Sequence, residues 1–126
     1  MNTTTKKNTH KTGKKGEEII MEFLQKRGYT ILETNWRWKK KEIDIIALGP
    51  KNELIFAEVK TRSYFFMNGP AFSVNLKKQK NIIDAAHHYI LQKNLNPPHI
   101  RFDVIALIKQ NRSMEIKHIE NAFYPV

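Results

Sequence analysis

The sequence predicts a mixed α/β fold, a central β-sheet flanked by helices in the order α-β-β-β-α-β-β. Three observations predict it. Two segments repeat apolar residues at helical spacing, five carry strand-like runs bounded by turn residues, and the second helix stands between two strands. A strand, a crossover helix and a further strand make part of a sheet parallel. A chain of 126 residues fits one domain, expected over residues 13–126.

Residues 1–12 contain no aliphatic residue after Met1. They cannot offset the entropy of ordering, so a disordered basic tail is expected there. From Gly13 to Arg27 the pattern is helical. Ile20, Phe23 and Leu24 form an apolar stripe with Met21 at its margin, while Glu18, Glu22, Gln25 and Lys26 fall on the other side. Gly28 stops this helix in the manner of a left-handed cap. Strands follow over Tyr29 to Trp38, Glu42 to Leu48 and Glu53 to Lys60, with a turn at Gly49-Pro50. Their short loops predict an antiparallel meander. Residues 61–75 make a longer connection containing Asn68-Gly69-Pro70. Asn75 is placed to cap a helix from Leu76 to about Lys93, and Asn96-Pro97-Pro98 ends that region. Ile100 to Ile108 is nearly all apolar and reads as a buried central strand. Met114 to Ile119 reads as a last strand at the sheet edge.

Composition narrows the function classes. No apolar run approaches the roughly 20 residues that a membrane span requires. The basic segment Met1 to Lys15 lacks the apolar stretch of a secretory signal. There are no cysteines, which excludes disulfides, thiolate zinc sites and cysteine nucleophiles and agrees with a cytoplasmic protein. The formal net charge is +10, from 22 Lys and Arg against 12 Asp and Glu. Residues 1–41 alone hold 11 basic and 4 acidic residues, a net of +7. Such a field attracts polyanions, of which nucleic acid is the usual one.

Asp44 stands inside an otherwise apolar strand, and Glu58 and Lys60 stand at the end of the next. A charge within a strand is costly unless it is paired or binds a metal. Side chains alternate along a strand, so Glu58 and Lys60 share a face and Val59 takes the other. Pairing through the Gly49-Pro50 turn brings Asp44 beside Glu58. Two carboxylates and a lysine suit phosphodiester hydrolysis. The acids, with the Val59 backbone carbonyl, are expected to hold Mg²⁺ or Mn²⁺, which prefer oxygen ligands, polarise a phosphate and activate water. Lys60 would orient that water or stabilise charge on the phosphate. Glu17 lies three residues before Ile20 and shares its inward face, whereas Glu18 aligns with Glu22; Glu17 is expected to join the site through water. An acid-x-Lys pair alone is usually a solvated ion pair; here the set of four specifies more than any member does.

Arg37, Lys39, Lys40, Lys41, Arg62, Lys77 and Lys78 are candidates for gripping phosphates. Cations at a helix N-terminus oppose the dipole, so a phosphate partner makes sense of Lys77 and Lys78. An exposed solvated face is the competing account. Trp36 and Trp38 share a face and are expected to pack on a helix rather than on bases. His87 and His88 diverge by about 100° on a helix and do not ligate one metal easily; a structural use is expected. Asp103, in the buried strand, is expected to pair with Arg101 or a lysine.

Four blocks of residues carry a resemblance. They are Gly16-Glu17-Glu18; Arg27-Gly28-Tyr29-x-Ile31-Leu32-Glu33-x-Asn35-Trp36-Arg37; Glu42-Ile43-Asp44-Ile45-Ile46-Ala47; and Phe56-x-Glu58-Val59-Lys60-Thr61-Arg62. They closely resemble the YraN-type family of small bacterial proteins, and the likeness continues through Gly69-Pro70 and Arg101-Phe102-Asp103-Val104, covering about residues 13–122. That family is placed in the restriction-endonuclease-like superfamily, near archaeal Holliday-junction resolvases. The resemblance implies a restriction-endonuclease-like domain whose site residues map onto Glu17, Asp44, Glu58 and Lys60. The family often has Gly where this chain has Lys41, and an acid where it has Phe72, which leaves residues 68–74 outside the implied site. Fold analogy supports a reaction class and no more. The expectation is a Mg²⁺- or Mn²⁺-dependent endodeoxyribonuclease acting on DNA, including branched or recombination and repair intermediates. A homodimer is compatible with it. The competing expectations are a non-catalytic nucleic-acid-binding module with a retained nuclease fold, and an adaptor for another protein.

Overall fold

The structure, a computed structural model, describes residues 4–10, 16–64 and 72–125, the first of these segments by its backbone alone. The first three positions of the predicted helix (13–15) and the Asn68-Gly69-Pro70 element lie outside the described residues. Eight elements follow in order: β1 (Thr4–His10), α1 (Gly16–Lys26), β2 (Thr30–Trp38), β3 (Lys41–Leu48), β4 (Glu53–Ser63), α2 (Leu76–Gln92), β5 (His99–Gln110) and β6 (Ser113–Phe123). From α1 onward this is the predicted order.

The strands form one mixed sheet in the order β1-β6-β5-β4-β3-β2. β2, β3 and β4 make the predicted antiparallel meander. α2 carries the chain over to β5, which pairs parallel to β4. β6 returns antiparallel to β5. The N-terminal tail departs from expectation. Thr4–His10 pairs antiparallel with β6 from Thr4–Ile119 to His10–Ser113, so β6 is an interior strand rather than the edge. Composition pointed to disorder because it scores apolar side chains, whereas an open sheet edge is covered by main-chain hydrogen bonds that need none.

Local chemistry sets the element ends. Gly28 has φ 88°, the left-handed conformation that only glycine adopts freely. Its N–H donates to the Gln25 carbonyl and that of Tyr29 to the Leu24 carbonyl, both at 3.0 Å, a Schellman closure of α1. At the other helix, Asn75 Oδ1 accepts from the Lys78 N–H at 2.8 Å, the expected N-cap.

Each face of the sheet is covered by one helix. On one face Ile19, Ile20, Phe23 and Leu24 of α1 pack on Ile45, Ala47, Ile55, Ala57, Ile105 and Leu107. On the other, Ile82, Ala85, Ala86 and Tyr89 of α2 pack on Ile46, Leu54, Phe56, Phe102 and Val104. β4 shows the period-two division clearly, with Ile55 and Ala57 under α1 and Leu54 and Phe56 under α2. Trp36 meets Tyr89 edge-on with ring centroids 5.1 Å apart, and Trp38 stacks on His88 at 3.5 Å. Both tryptophans therefore lean on α2, as expected.

The α1 face also buries a charge network at the end where β4 and β5 begin. Asp103 is 0% exposed. It accepts from Arg101 Nη2 at 2.7 Å and from the Asn121 N–H at 3.1 Å, and lies 2.7 Å from His118 Nε2. Arg101 also reaches Glu53 at 3.2 Å, Glu120 at 2.8 Å and the Tyr29 hydroxyl at 2.8 Å. Burial alone would raise the Asp103 carboxyl, but hydrogen bonds from His118 and Arg101 outweigh it and hold the group below the ordinary range. The pairing of Asp103 with Arg101 was legible in the sequence; the wider network was not. Removing one partner of such a network strands the others. Asp103→Ala should lower stability by about 3–5 kcal/mol in urea unfolding, and an unchanged midpoint would show that the network contributes nothing.

Candidate functional site

Two strands part at the site. β3 and β4 pair from Leu48–Leu54 to Ile45–Ala57, and the ladder ends there. Its next position would set Asp44 opposite Glu58. Instead the Asp44 side chain enters the gap, and its Oδ2 accepts from the Val59 N–H at 2.8 Å. A residue's N–H and C=O point to the same edge of a strand, so the Val59 carbonyl faces the gap as well.

The parting has a cause on β2. Thr34 pairs with Ile45 and Trp36 with Ile43, which leaves Asn35 opposite Asp44. Asn35 has φ 50°, a left-handed conformation that Asn tolerates better than most residues. Side-chain alternation skips at this point. Ile45 packs under α1, whereas Ile43 packs under α2 together with Trp36. Beyond the skip the β2–β3 tip is drawn to α2, where Lys41 Nζ pairs with Asp84 and Trp38 stacks on His88.

Glu58 and Lys60 continue the α2-facing row of β4, and Val59 packs under α1, as alternation requires. The Glu58 side chain is 12% exposed and meets Lys78 Nζ at 3.8 Å. Lys78 thus finds a carboxylate where its unfavourable place in the first turn of α2 suggested a phosphate. Burial, a hydrogen bond with Asp44 and the Asp44 charge push Glu58 up to about 7; Lys78 and Lys60 oppose the rise. Burial is also the largest influence on Lys60, and with Arg62 and Lys78 it lowers this amine against the pull of Glu58 and Asp44. Asp44, Glu58 and Lys60 therefore come together.

Glu17 stands apart from them. It is exposed, because it precedes the buried part of α1, yet it lines a cavity of about 500 Å³ with Asp44, Val59 and Thr61 on the α1 side. Among the described residues no three Asp, Glu or His side chains gather into a metal-holding group. The four-residue set is split, with Glu17 reaching the fork from one face and Glu58 and Lys60 from the other.

The remaining candidates ring the fork unevenly. Lys39 and Lys41 lie over the Trp38 ring at 4.6 and 5.2 Å, and Arg37 pairs with Glu42 at 3.6 Å. Arg62 Nη1 donates to the Thr61 carbonyl at 2.8 Å. Lys40 and Lys77 are exposed. Phe72 lies under Lys117 Nζ at 4.4 Å. His87 is exposed. Sequence reasoning missed Asn35, Thr34, Thr61 and Lys109, which line the cavity. An Asn inside a strand-like run was the one available signal.

The Asp44–Glu58 pair makes folding pH-dependent. The folded-state value of Glu58 lies above its ordinary 4.5. Its contribution to stability is complete below about pH 4.5 and is lost as the pH rises through about 7. Glu58→Gln should match the parent in stability near pH 4. Near pH 8 it should be more stable by about 1–2 kcal/mol, after discounting the shift for solvent screening. Thermal melts across that range test this, and a difference that does not vary with pH would contradict the shared-proton geometry.

Comparison with known proteins places the chain. The model of the Uncharacterised protein family UPF0102 matches residues 16–107. A UPF0102 protein of Flavobacterium psychrophilum is 46% identical over 112 residues, covering 89% of this chain and 92% of its own. One of Parabacteroides distasonis is 45% identical over 112 residues, covering 89% and 91%. One of Clostridioides difficile is 45% identical over 116 residues, covering 92% and 99%. The matched span holds Glu17, Asp44, Glu58 and Lys60. The chain belongs to the UPF0102 family.

Proposed function

We propose that this protein is a Mg²⁺- or Mn²⁺-dependent endonuclease of restriction-endonuclease-like type that hydrolyses DNA phosphodiester bonds. The observation that carries the reading is the hydrogen-bonded pair Asp44 and Glu58, set at a strand fork with Lys60 beside it. Two carboxylates close enough to share a proton repel one another once both ionise, and a divalent cation is the usual remedy. The donor set fits Mg²⁺, which commonly takes one or two carboxylates, keeps several waters and accepts phosphate oxygens. Asp44, Glu58 and the Val59 carbonyl would hold it. Bound there, the cation would supply Lewis-acid polarisation of the phosphate.

The chain's own groups account for the rest. Lys60 donates hydrogen bonds to the attacking water or to the non-bridging oxygens, where charge grows as the new P–O bond forms and the old one breaks. Glu17 acts from the cavity side through water. The exposed Lys40 and Lys77, with Arg37, Lys39, Lys41, Arg62 and Lys78 around the fork, bind the strand backbone, and their contacts should weaken steeply with salt. Branched and repair intermediates are natural substrates for a site that opens between two strands rather than in a deep channel.

One observation favours a second reading, a non-catalytic nucleic-acid-binding module. Lys78 already neutralises Glu58 in part, so the pair holds together without a metal. A cleavage screen over linear, flapped and four-way DNA with Mg²⁺ or Mn²⁺ separates the two. Nicked or shortened strands are expected, and Asp44→Ala should reduce their rate about 100-fold or more, the scale for removing one electrostatic stabiliser, with the chain still folded by circular dichroism. Salt-dependent binding that ignores both metal and Asp44→Ala, with no cleavage, would replace the enzyme with the binding module.

A further inference from the structure

Of the residues lining the cavity beside the fork, the hydrolytic reading uses only Glu17, Asp44 and Val59. Its volume of about 500 Å³ lies within the roughly 300–1,000 Å³ of small-molecule pockets. Ile20 and Met21 of α1, Val59 of β4 and Leu107 of β5 give it an apolar part, and Glu17, Thr34 and Lys109 are among the polar residues that line the rest. The Asn35 amide and the Thr61 hydroxyl add donors and acceptors at the lining. Apolar side chains interleaved with hydrogen-bonding groups suit an aromatic heterocycle, and the two acids in the lining disfavour a phosphate there. Asp44 forms part of the same lining, so the pocket adjoins the position assigned to the scissile bond. We propose that this pocket receives one unstacked base of the DNA strand, next to the phosphate held at the fork. The assignment rests on the reading of the fork as a phosphodiester site. It also names the substrate class: DNA with an unpaired nucleotide, since extruding a base from a duplex costs unpairing and unstacking that a gap, flap or loop has already lost.

Asn35 is the specificity-determining residue in this scheme. Its left-handed backbone turns it out of the β2 ladder, and its amide is able to meet both the donors and the acceptors of a base edge. Met21, half-buried at the margin of the α1 stripe, offers the thioether for the base to lie against.

The test uses the full chain without divalent metal, in EDTA. A gapped oligonucleotide carries 2-aminopurine at successive positions, one per molecule. Emission at one unpaired position is expected to rise several-fold on binding, with little change at paired positions. Asn35→Gly keeps the left-handed backbone and removes the amide; it should bind the gapped strand about tenfold more weakly, the scale of one base contact, with little change on full duplex. Met21→Phe narrows the cavity and should suppress the emission change. It serves as the second variant if Asn35→Gly unfolds. Unchanged emission at every position overturns the pocket assignment, even if the protein cleaves DNA. A clear signal without cleavage under any metal keeps the pocket and removes the nuclease reading. Equal affinity for free dAMP would overturn the assignment to a strand, because no backbone would then be involved.

Discussion

The parallel pairing of β4 with β5 runs without a break from Glu53–His99 to Ser63–Lys109. β4 loses its other neighbour at Ala57, and from there β5 alone holds it extended. Without that support, the second half of β4 would be a single strand with unpaired main-chain groups, a costly arrangement in a buried setting. With it, Glu58, Val59 and Lys60 keep strand geometry while their second edge opens. Both helices depend on the same strand, since Ile55 and Ala57 bury one and Leu54 and Phe56 the other. Asp44 then takes over one hydrogen bond that β3 no longer provides. Its carboxylate closes the edge and, in the same position, creates the acid pair.

The start and the middle of β4 handle buried charge differently. At its start Glu53 joins Arg101, Asp103 and His118 in a network where anions and cations alternate, and the Asp103 carboxyl is held low. At its middle, five residues and roughly 16 Å further on, Glu58 faces another acid and its carboxyl is held high. Both groups are screened from water, so burial raises each. What decides the sign is the partner, since opposite charge and donated hydrogen bonds outweigh burial for Asp103, whereas like charge adds to it for Glu58. The first arrangement is satisfied by itself. The second is improved by any added cation, which is why functional interest attaches to the fork rather than to the more deeply buried network.

Much of this was legible in the sequence, because two simple periods governed it. The stripe of Ile20, Phe23 and Leu24, the division of β4 into two apolar rows and the caps at Gly28 and Asn75 follow from spacing and residue type alone. The neighbourhood of Asp44, Glu58 and Lys60 followed from a hairpin turn and alternation. Three things did not. The pairing of Thr4–His10 with β6 uses main-chain groups that every polar sequence possesses. The skip at Asn35 and Asp44 reverses alternation over one residue pair, and nothing in a period-two pattern announces it. Glu17 was assigned to the inward face by helical spacing, but it lies in the first turn, before α1 meets the sheet, so the rule placed it on the correct side of the helix and still left it exposed.

That last difference bears on how a strand of DNA would lie. α1 begins with two acids, Glu17 and Glu18, which suit its positive end; α2 begins with none and carries Lys77 and Lys78 against its dipole. Each helix therefore presents opposite charge to its own face of the fork. A phosphate approaching from the α2 side meets Lys60, Lys77 and Lys78, and one approaching from the α1 side meets a cavity lined by two acids, Glu17 and Asp44, and one lysine, Lys109. Electrostatics would bring the backbone in over α2 and leave the α1 side to the less charged part of the nucleotide. In the proposed reading the sheet is then not a platform on which the substrate rests. The fork between β3 and β4 would be a passage, with phosphate chemistry on one face and base recognition on the other, and Asp44 and Val59 would serve both.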